Sequence, residues 1–198
     1  MTATTPTPMP SPDPSPRRRH SAATLVPVAI VIAVCAFVIV VLATREPAVN
    51  RVADSPLVGR AAPPLTGQTL DGSSFDLADH RGEWVLVNFF ATWCGPCQRE
   101  HDDLSAFHDR HAADGDASVV SVVFDDRTEA ARAFFEEEGG NWPVVVGDQG
   151  DIALDYGVIK VPESYLVSPD GVVVKKLIGG VTQEFLEELL AAAQQQSG

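Results

Sequence analysis

Two cysteines separated by two residues, in the stretch ATWCGPCQREH at positions 91–101, are the residues of this chain best suited to chemistry. Such a pair can act as a redox couple, clamp a metal ion, or form a disulfide that only holds a fold together. The third cysteine, Cys35, lies in an apolar run, where cysteine behaves as a small apolar residue. Cys94 and Cys97 are therefore the candidate catalytic pair.

The local sequence favours a redox role for this pair. Cys94 follows an apolar run of strand length and precedes a stretch whose periodicity predicts a helix from about 96 to 112. The free N–H groups and positive end of that helix favour thiolate over thiol, so we expect Cys94 to attack a disulfide. Cys97, one turn later, is placed to resolve the mixed disulfide. Gly95 permits the tight approach, and Pro96 suits a first helical turn.

Two alternatives to a redox couple stay open. A permanent disulfide is reasonable in an oxidising compartment, but a bridge across two residues restricts the unfolded chain little. A metal site is the stronger alternative, because Cys97 and His101 lie four residues apart on one helical face. With Cys94 they can hold a copper or zinc ion, although no fourth ligand is evident.

The elements around the cysteines predict an α/β fold. The Asp71-Gly72 turn indicates a hairpin ahead of the core, and strand and helix patterns then alternate before a second hairpin and a closing helix. This order implies a mixed central β-sheet flanked by helices on both faces. The predicted strands are 84–90, 118–124, 143–146, 164–167 and 172–177, and the predicted helices are 96–112, 128–138, 151–156 and one beginning near 182.

The first quarter of the chain has a different composition. Residues 1–23 are rich in Pro, Thr and Ser and are predicted to be a disordered tail. An uncharged run follows whose length suits a transmembrane helix, so 24–44 is predicted to be a membrane anchor. Residues 45–57 lack periodicity and are predicted to be a linker, which leaves 58–198 as the folded domain.

The orientation of the anchor follows from three arginines at 17–19, which by the positive-inside tendency keep the N-terminus in the cytoplasm. The domain is then extracytoplasmic on a single-pass protein of the bacterial cell membrane. A cleaved signal peptide is the alternative, but the apolar run is longer than a usual signal core and no clean cleavage site follows it.

Charge excludes one class of partner. The chain holds 14 basic and 27 acidic residues, of which four and two fall in residues 1–50, so residues 51–198 hold ten basic and twenty-five acidic residues, a net of −15. A domain this acidic repels the phosphate backbone, and we expect no nucleic-acid partner.

Three stretches carry a resemblance to a known family. They are GRAAPPL at 59–65, LDGSSFDLADHRGEWVLVNFFATWCGPCQREHDDL at 70–104, and YGVIKVPESYLVSPDGVVV at 156–174. The chain from residue 58 onward resembles the membrane-tethered thiol-disulfide oxidoreductases of the TlpA, ResA and CcmG (also called DsbE) group. The resemblance implies a thioredoxin-like fold, to which the hairpin predicted at Asp71-Gly72 adds an N-terminal β-hairpin extension.

The resemblance also assigns roles to individual residues. Cys94 corresponds to the nucleophilic cysteine and Cys97 to the resolving one, with Trp93 as the aromatic residue before them. Val161 and Pro162 stand where this fold has a cis-proline loop that packs against the disulfide and pairs with the backbone of the substrate.

Two acidic residues, Glu100 and Glu163, fall at positions resembling those that tune cysteine acidity in the CcmG branch. The alternative for Glu100 is a solvated helix residue, which makes Glu163 the stronger candidate.

Two departures from related patterns stand out. Asn88 replaces the buried Asp of cytoplasmic thioredoxins, so its role as a base is vacant or passes to one of the two glutamates. Lys160 replaces the Gly that is usual in the CcmG branch.

The resulting hypothesis is an extracytoplasmic disulfide reductase with no cofactor beyond its own cysteine pair. The resemblance implies exported disulfide proteins such as apocytochrome c as clients, and a transmembrane electron donor of the DsbD/CcdA type as partner. The alternative is a copper metallochaperone that uses Cys94 and Cys97 with or without His101. A peroxiredoxin ranks third, because Ala91 occupies the place of the Thr that its motif requires.

Overall fold

A computed structural model describes residues 22–43, 49–147 and 150–197. The tail predicted for residues 1–23 lies almost entirely outside this part of the chain. The described residues fall into two compact units, one within residues 1–46 and one within residues 47–198.

The first unit contains helix α1, Ala22–Ala43, with Pro27 in its first turns. Its described side chains are those of residues 27, 28 and 30–40. Within the described part of the chain, no helix combines the length and the hydropathy that a membrane span needs. The anchor predicted at 24–44 is not supported by this finding and stays a prediction.

The second unit is built on one mixed eight-stranded sheet, in the order β1-β8-β7-β4-β5-β6-β2-β3. The strands are β1 Arg51–Ala53, β2 Thr66–Thr69, β3 Ser74–Asp76, β4 Trp84–Phe90, β5 Ala117–Val123, β6 Val144–Val146, β7 Glu163–Val167 and β8 Val173–Ile178. The helices are α2 Gly95–Ala112, α3 Thr128–Glu138, α4 Asp151–Tyr156 and α5 Gln183–Ser197, with a 3-10 turn at Leu77–His80. The predicted α/β class with a mixed sheet is confirmed.

Strand β4 is the centre of the sheet. It pairs in parallel with β5 and antiparallel with β7, and every one of its residues is buried. Its side chains alternate between two cores, with Leu86 packing on the side of α2 and α5 and Phe89 on the side of α4. Burial on both faces explains why its sequence is a continuous apolar run rather than an alternating one.

The predicted N-terminal hairpin is confirmed. Strands β2 and β3 pair antiparallel around the Asp71-Gly72 turn, where Gly72 has a φ of 87° that suits glycine. Strand β2 also pairs with β6, so the hairpin extends one edge of the sheet.

The opposite edge extends the domain beyond its predicted boundary. Residues 45–57 were expected to be an unstructured linker, but Arg51–Ala53 forms β1 and pairs antiparallel with β8. The backbone N–H of Asn50 also donates to the carbonyl of Gly180 at 2.8 Å. A three-residue edge strand has no periodicity to detect, so its partner determines its structure.

Candidate active site

Cys94 lies at the junction of β4 and α2, as the sequence predicts. It is the N-cap of α2, with extended backbone angles, and its sulfur accepts a hydrogen bond from the backbone N–H of Cys97 at 3.2 Å. Pro96 occupies the first turn of the helix, where its missing N–H leaves no partner unsatisfied. Cys94 and Cys97 form a disulfide, with 5.2 Å between their Cα atoms.

The disulfide is packed on several sides. Both cysteines are buried in a small cluster with Phe90 and Ala91, against which Phe134, Phe135 and Val161 also pack. The peptide bond between Val161 and Pro162 is cis, as predicted. The proline loop therefore contacts the cysteine cluster as the resemblance implies.

The residues before Cys94 are anchored to the loop that follows β5. The backbone N–H and the hydroxyl of Thr92 both donate to the Asp126 carboxylate, at 2.7 and 2.6 Å. Burial acts to raise the pKa of Asp126, but these hydrogen bonds outweigh it and hold that pKa below its ordinary value. The indole N–H of Trp93 donates to the carbonyl of Asp125 at 3.0 Å, which leaves 59% of this side chain exposed beside Cys94.

Glu100 is buried rather than solvated, with only 2% of its surface exposed. The Asn88 amide donates to Glu100 Oε1 at 3.0 Å, and the backbone N–H of Val181 donates to Oε2 at 2.9 Å. Burial raises the pKa of this carboxyl to about 8, even though both hydrogen bonds act to lower it. The site therefore has a buried acid although Asn88 stands in place of an Asp, because the Asn88 amide holds the carboxyl of Glu100 in place.

A chain of buried polar side chains continues from Asn88, and the sequence analysis did not predict it. Asn88 also donates to the Ser164 hydroxyl at 3.1 Å, and it accepts a hydrogen bond from Ser121 at 3.2 Å. The indole of Trp142 donates to Ser121 at 2.9 Å. Both serines pair directly with Asn88 in the sheet register, so one face of three adjacent strands carries this network.

Glu163 lies elsewhere. It is the neighbour of Ser164 on β7, so its side chain points to the opposite face of the sheet, away from Glu100. There it forms a buried ion pair in which Lys176 Nζ is 2.8 Å from Glu163 Oε2. Burial acts to lower the pKa of Lys176, but its contacts with Glu163 and Tyr165 raise that pKa above its ordinary value. Glu100 is therefore the buried acid on the side of α2, and Glu163 is a buried acid on the other face of the sheet; the predicted influence of Glu163 on cysteine acidity stays a prediction.

His101 is buried in an aromatic group, and one of its ring nitrogens is engaged in a hydrogen bond. Its Nε2–H donates to the carbonyl of Gly139 at 3.0 Å, and its ring packs edge-on against Phe134 and Phe135. Burial lowers the pKa of this imidazole, which favours its neutral form. Among the described residues, no group of three or more His, Cys, Asp or Glu side chains is arranged to hold a metal ion. The copper alternative finds no support at His101.

A CGPC disulfide that begins a helix and packs against a proline loop, on a mixed sheet of this topology, defines a thioredoxin-like thiol-disulfide oxidoreductase. Comparison with known proteins agrees, since residues 58–176 match the AhpC/TSA family. The chain belongs to this family of thioredoxin-like proteins and, within it, to the TlpA, ResA and CcmG (DsbE) type.

Similar proteins are named as thiol-disulfide oxidoreductases or thiol:disulfide interchange proteins. The thiol-disulfide oxidoreductase ResA of Bacillus thuringiensis subsp. konkukian is 32% identical over 133 residues, which cover 67% of this chain and 76% of the relative. The thiol:disulfide interchange protein CycY of Rhizobium leguminosarum is 36% identical over 118 residues, 59% of this chain and 61% of the relative. A Chlorobium tepidum crystal structure assigned as the interchange protein DsbE has a TM-score of 0.61 and 27% identity, covering 67% of this chain and 94% of that one.

Proposed function

We propose that this oxidoreductase works as a reductant of protein disulfides, with Cys94 as nucleophile and Cys97 as resolving thiol. The Cys94 thiolate attacks one sulfur of the client disulfide, which breaks that bond and releases the other client sulfur as a thiolate. Cys97 then loses its proton and attacks Cys94, which releases the second client thiolate. Two electrons pass to the client, and the Cys94–Cys97 disulfide that remains must be reduced again.

The position of Cys94 carries this proposal. Cys94 is the N-cap of an 18-residue helix, and its sulfur accepts a hydrogen bond from the backbone N–H of Cys97. After reduction the same N–H and the positive end of the helix are available to a negative sulfur, which lowers the pKa of a thiol at such a position. Cys97 lies three residues further along the chain, within the helix, and among the described residues no N–H donates to its sulfur, so the two thiols are expected to differ in reactivity.

Glu100 is the proposed proton acceptor for Cys97. The two residues are three apart on α2, and residues with this spacing share one helical face. The pKa of Glu100 is raised to about 8 by burial, close to that of an ordinary thiol, and such a match favours proton transfer in either direction. Asn88 and the N–H of Val181 hold the carboxyl in place in both charge states.

The client chain is proposed to bind beside the proline loop. The backbone groups of Lys160 and Val161 form no hydrogen bond within the described residues, so they are available to pair with an extended segment. Trp93, which precedes Cys94 and is exposed, offers an aromatic surface to the same segment.

The cellular setting is also a proposal. The uncharged run at 24–43 and the arginines at 17–19 support a single-pass anchor with the domain outside the cytoplasm. The resemblance to the CcmG type suggests exported clients such as apocytochrome c, and a membrane electron donor of the DsbD/CcdA type for resetting the disulfide. Protease treatment of spheroplasts tests the topology: we expect the domain to be digested from outside, and full protection would contradict it.

The chemical proposal is tested with variants of the two cysteines. Cys94→Ser is expected to abolish reduction of a peptide disulfide without loss of the fold, whereas Cys97→Ser is expected to accumulate a mixed disulfide at Cys94, detected by mass spectrometry. The reduction potential tests the direction of transfer. We expect a value near those of thioredoxin and the glutaredoxins, about −200 to −270 mV, and a value near the about −120 mV of DsbA would contradict a reductant.

A further inference from the structure

A groove of about 360 Å³ opens next to the redox pair. Pro96, next to Cys97, and Pro162 of the proline loop line it, and Glu100 and Gly180 lie close together in the same lining. The lining is mostly apolar, but it includes two cations, Arg99 from α2 and Lys160 from the segment before the cis proline.

Arg99 reaches over the turn between the cysteines. Its Nη1 lies 3.5 Å from the position that a Cβ atom would take at Gly95. Neither Arg99 nor Lys160 forms a salt bridge or a side-chain hydrogen bond within the described residues, and both are exposed. Asp103, which also lines the groove, accepts the backbone N–H of Gln183 instead. Both cations are therefore available to a bound molecule.

The surroundings make these two charges unusual. Residues 51–198 hold only ten basic residues against twenty-five acidic ones, yet two of the ten face one groove. Glu100 does not offset them, because its raised pKa of about 8 leaves it mostly neutral at pH 7. Asp103 is the one other carboxyl residue among the described groove residues, so the two cations outnumber it and the groove has a local excess of positive charge.

We propose that this groove selects client disulfides whose cysteine lies within a few residues of an Asp or Glu, with Arg99 and Lys160 binding that carboxylate. An extended segment that pairs with the free backbone at Val161 runs along the groove and brings a nearby acidic side chain between the two cations. The inference rests on the proposed reductase function and adds the kind of client. Charge complementarity of this type raises the rate of association and discriminates between partners.

The test compares three cyclic disulfide peptides that differ at one position, two residues from a cysteine, where they carry Glu, Gln or Lys. The second-order rate constant of reduction by the fully reduced protein is measured at low and at high ionic strength. The same peptides are also reduced with dithiothreitol. Dividing the protein's rate constants by the dithiothreitol rate constants removes the effect of the neighbouring charge on the peptide thiols. The variants are the double substitution Arg99→Gln with Lys160→Gln, and Arg60→Gln as control. Arg60 is an exposed cation near the start of β8, whereas the groove lies at its end.

The protein and the Arg60→Gln control are expected to reduce the Glu peptide about tenfold faster than the Lys peptide at low ionic strength, since each cation contributes up to about fivefold. Salt is expected to weaken the preference. In the double variant the ratio is expected to fall to within about twofold. Equal rates for the three peptides would overturn the inference while leaving the reductase function intact. Reduction of none of them would overturn both.

Discussion

Replacing Glu100 by Gln tests whether burial keeps this carboxyl neutral. The wild-type side chain is buried and receives two N–H donors, one at each oxygen. A neutral carboxyl accepts both donors, because its hydroxyl oxygen keeps a lone pair, and it loses little by burial. An ionised carboxyl accepts them too but has lost its hydration, which is why the pKa is raised.

The size and sign of the effect follow from linkage. The pKa rises from an ordinary 4.5 to about 8, so the folded protein holds this proton more tightly than the unfolded chain. The contribution of Glu100 to the free energy of unfolding is therefore highest below pH 4.5 and falls through the window up to about pH 8, by about 1.4 kcal/mol per pH unit. The full loss is about 5 kcal/mol, an upper value for a carboxyl this deeply buried.

Glutamine removes this pH dependence and introduces a constant penalty. Its single oxygen accepts one donor, and its NH₂ group then faces the other donor, either the Asn88 amide or the Val181 N–H. Such a buried unpaired donor costs about 1–3 kcal/mol at every pH. Glu100→Gln should thus be less stable than wild type at pH 5 and more stable at pH 8.5, and the two curves should cross near about pH 6.

The assay is urea denaturation of both proteins in the oxidised form between pH 5 and 9, because a disulfide does not titrate in this range. Histidines titrate in both proteins, so the difference between the two curves isolates Glu100. Glu188→Gln, on the exposed side of α5, serves as the control and should differ little from wild type at any pH. A difference for Glu100→Gln that stays constant from pH 5 to 9 would refute the assignment of a neutral buried carboxyl.

Three further predictions concern the framework. Asp126→Ala removes the acceptor of both Thr92 hydrogen bonds and should lower the free energy of unfolding by about 1–3 kcal/mol at pH 7. Because the pKa of Asp126 is lowered in the folded protein, this loss should shrink as the pH falls below 3.8. Burial acts to lower the pKa of His111, but a carboxylate at each ring nitrogen outweighs it and raises that pKa. His111→Gln should therefore lower the free energy of unfolding at pH 5, and this loss should shrink as the pH rises from 6.5 through the raised pKa of the folded protein. A pH-independent difference in urea denaturation would contradict this. Leu104→Ala should lower the free energy of unfolding by about 2–5 kcal/mol in the same assay, because Leu104 is buried where α2 packs on the sheet. A loss under about 1 kcal/mol would show that this core collapses around the gap.

Much of the fold could be predicted because strong local patterns agree with the tertiary structure. The run 84–90 is β4 residue for residue, and the amphipathic stretch 128–138 is α3. The position of Cys94 at the start of α2 followed from the same reasoning, since an apolar strand passes directly into a helical pattern. Strand β1 could not be found in this way, because three residues at a sheet edge are stabilised by their partner and not by their own pattern.

The roles of the two glutamates depended on register, which a single sequence does not reveal. Glu163 faces away from α2 because Ser164, its neighbour, is the residue paired with Asn88. One signal was present: Ser121 interrupts an apolar strand, as Asn88 does, and polar residues in neighbouring buried strands indicate a shared hydrogen-bond network. The burial of His101 had no such signal, because the aromatic residues that enclose it come from α3 and the segment beyond it.

The central claim is that the backbone at the start of α2 makes one of two neighbouring sulfurs acidic. The direct measurement is the rate of iodoacetamide alkylation of each thiol in the fully reduced protein from pH 5 to 9, assigned by peptide mass spectrometry so that Cys35 is counted separately. Cys94 should react at least about tenfold faster than Cys97 at pH 7, with a midpoint below the ordinary thiol pKa of about 8.5. Equal, slow reaction of both thiols at neutral pH would contradict the claim.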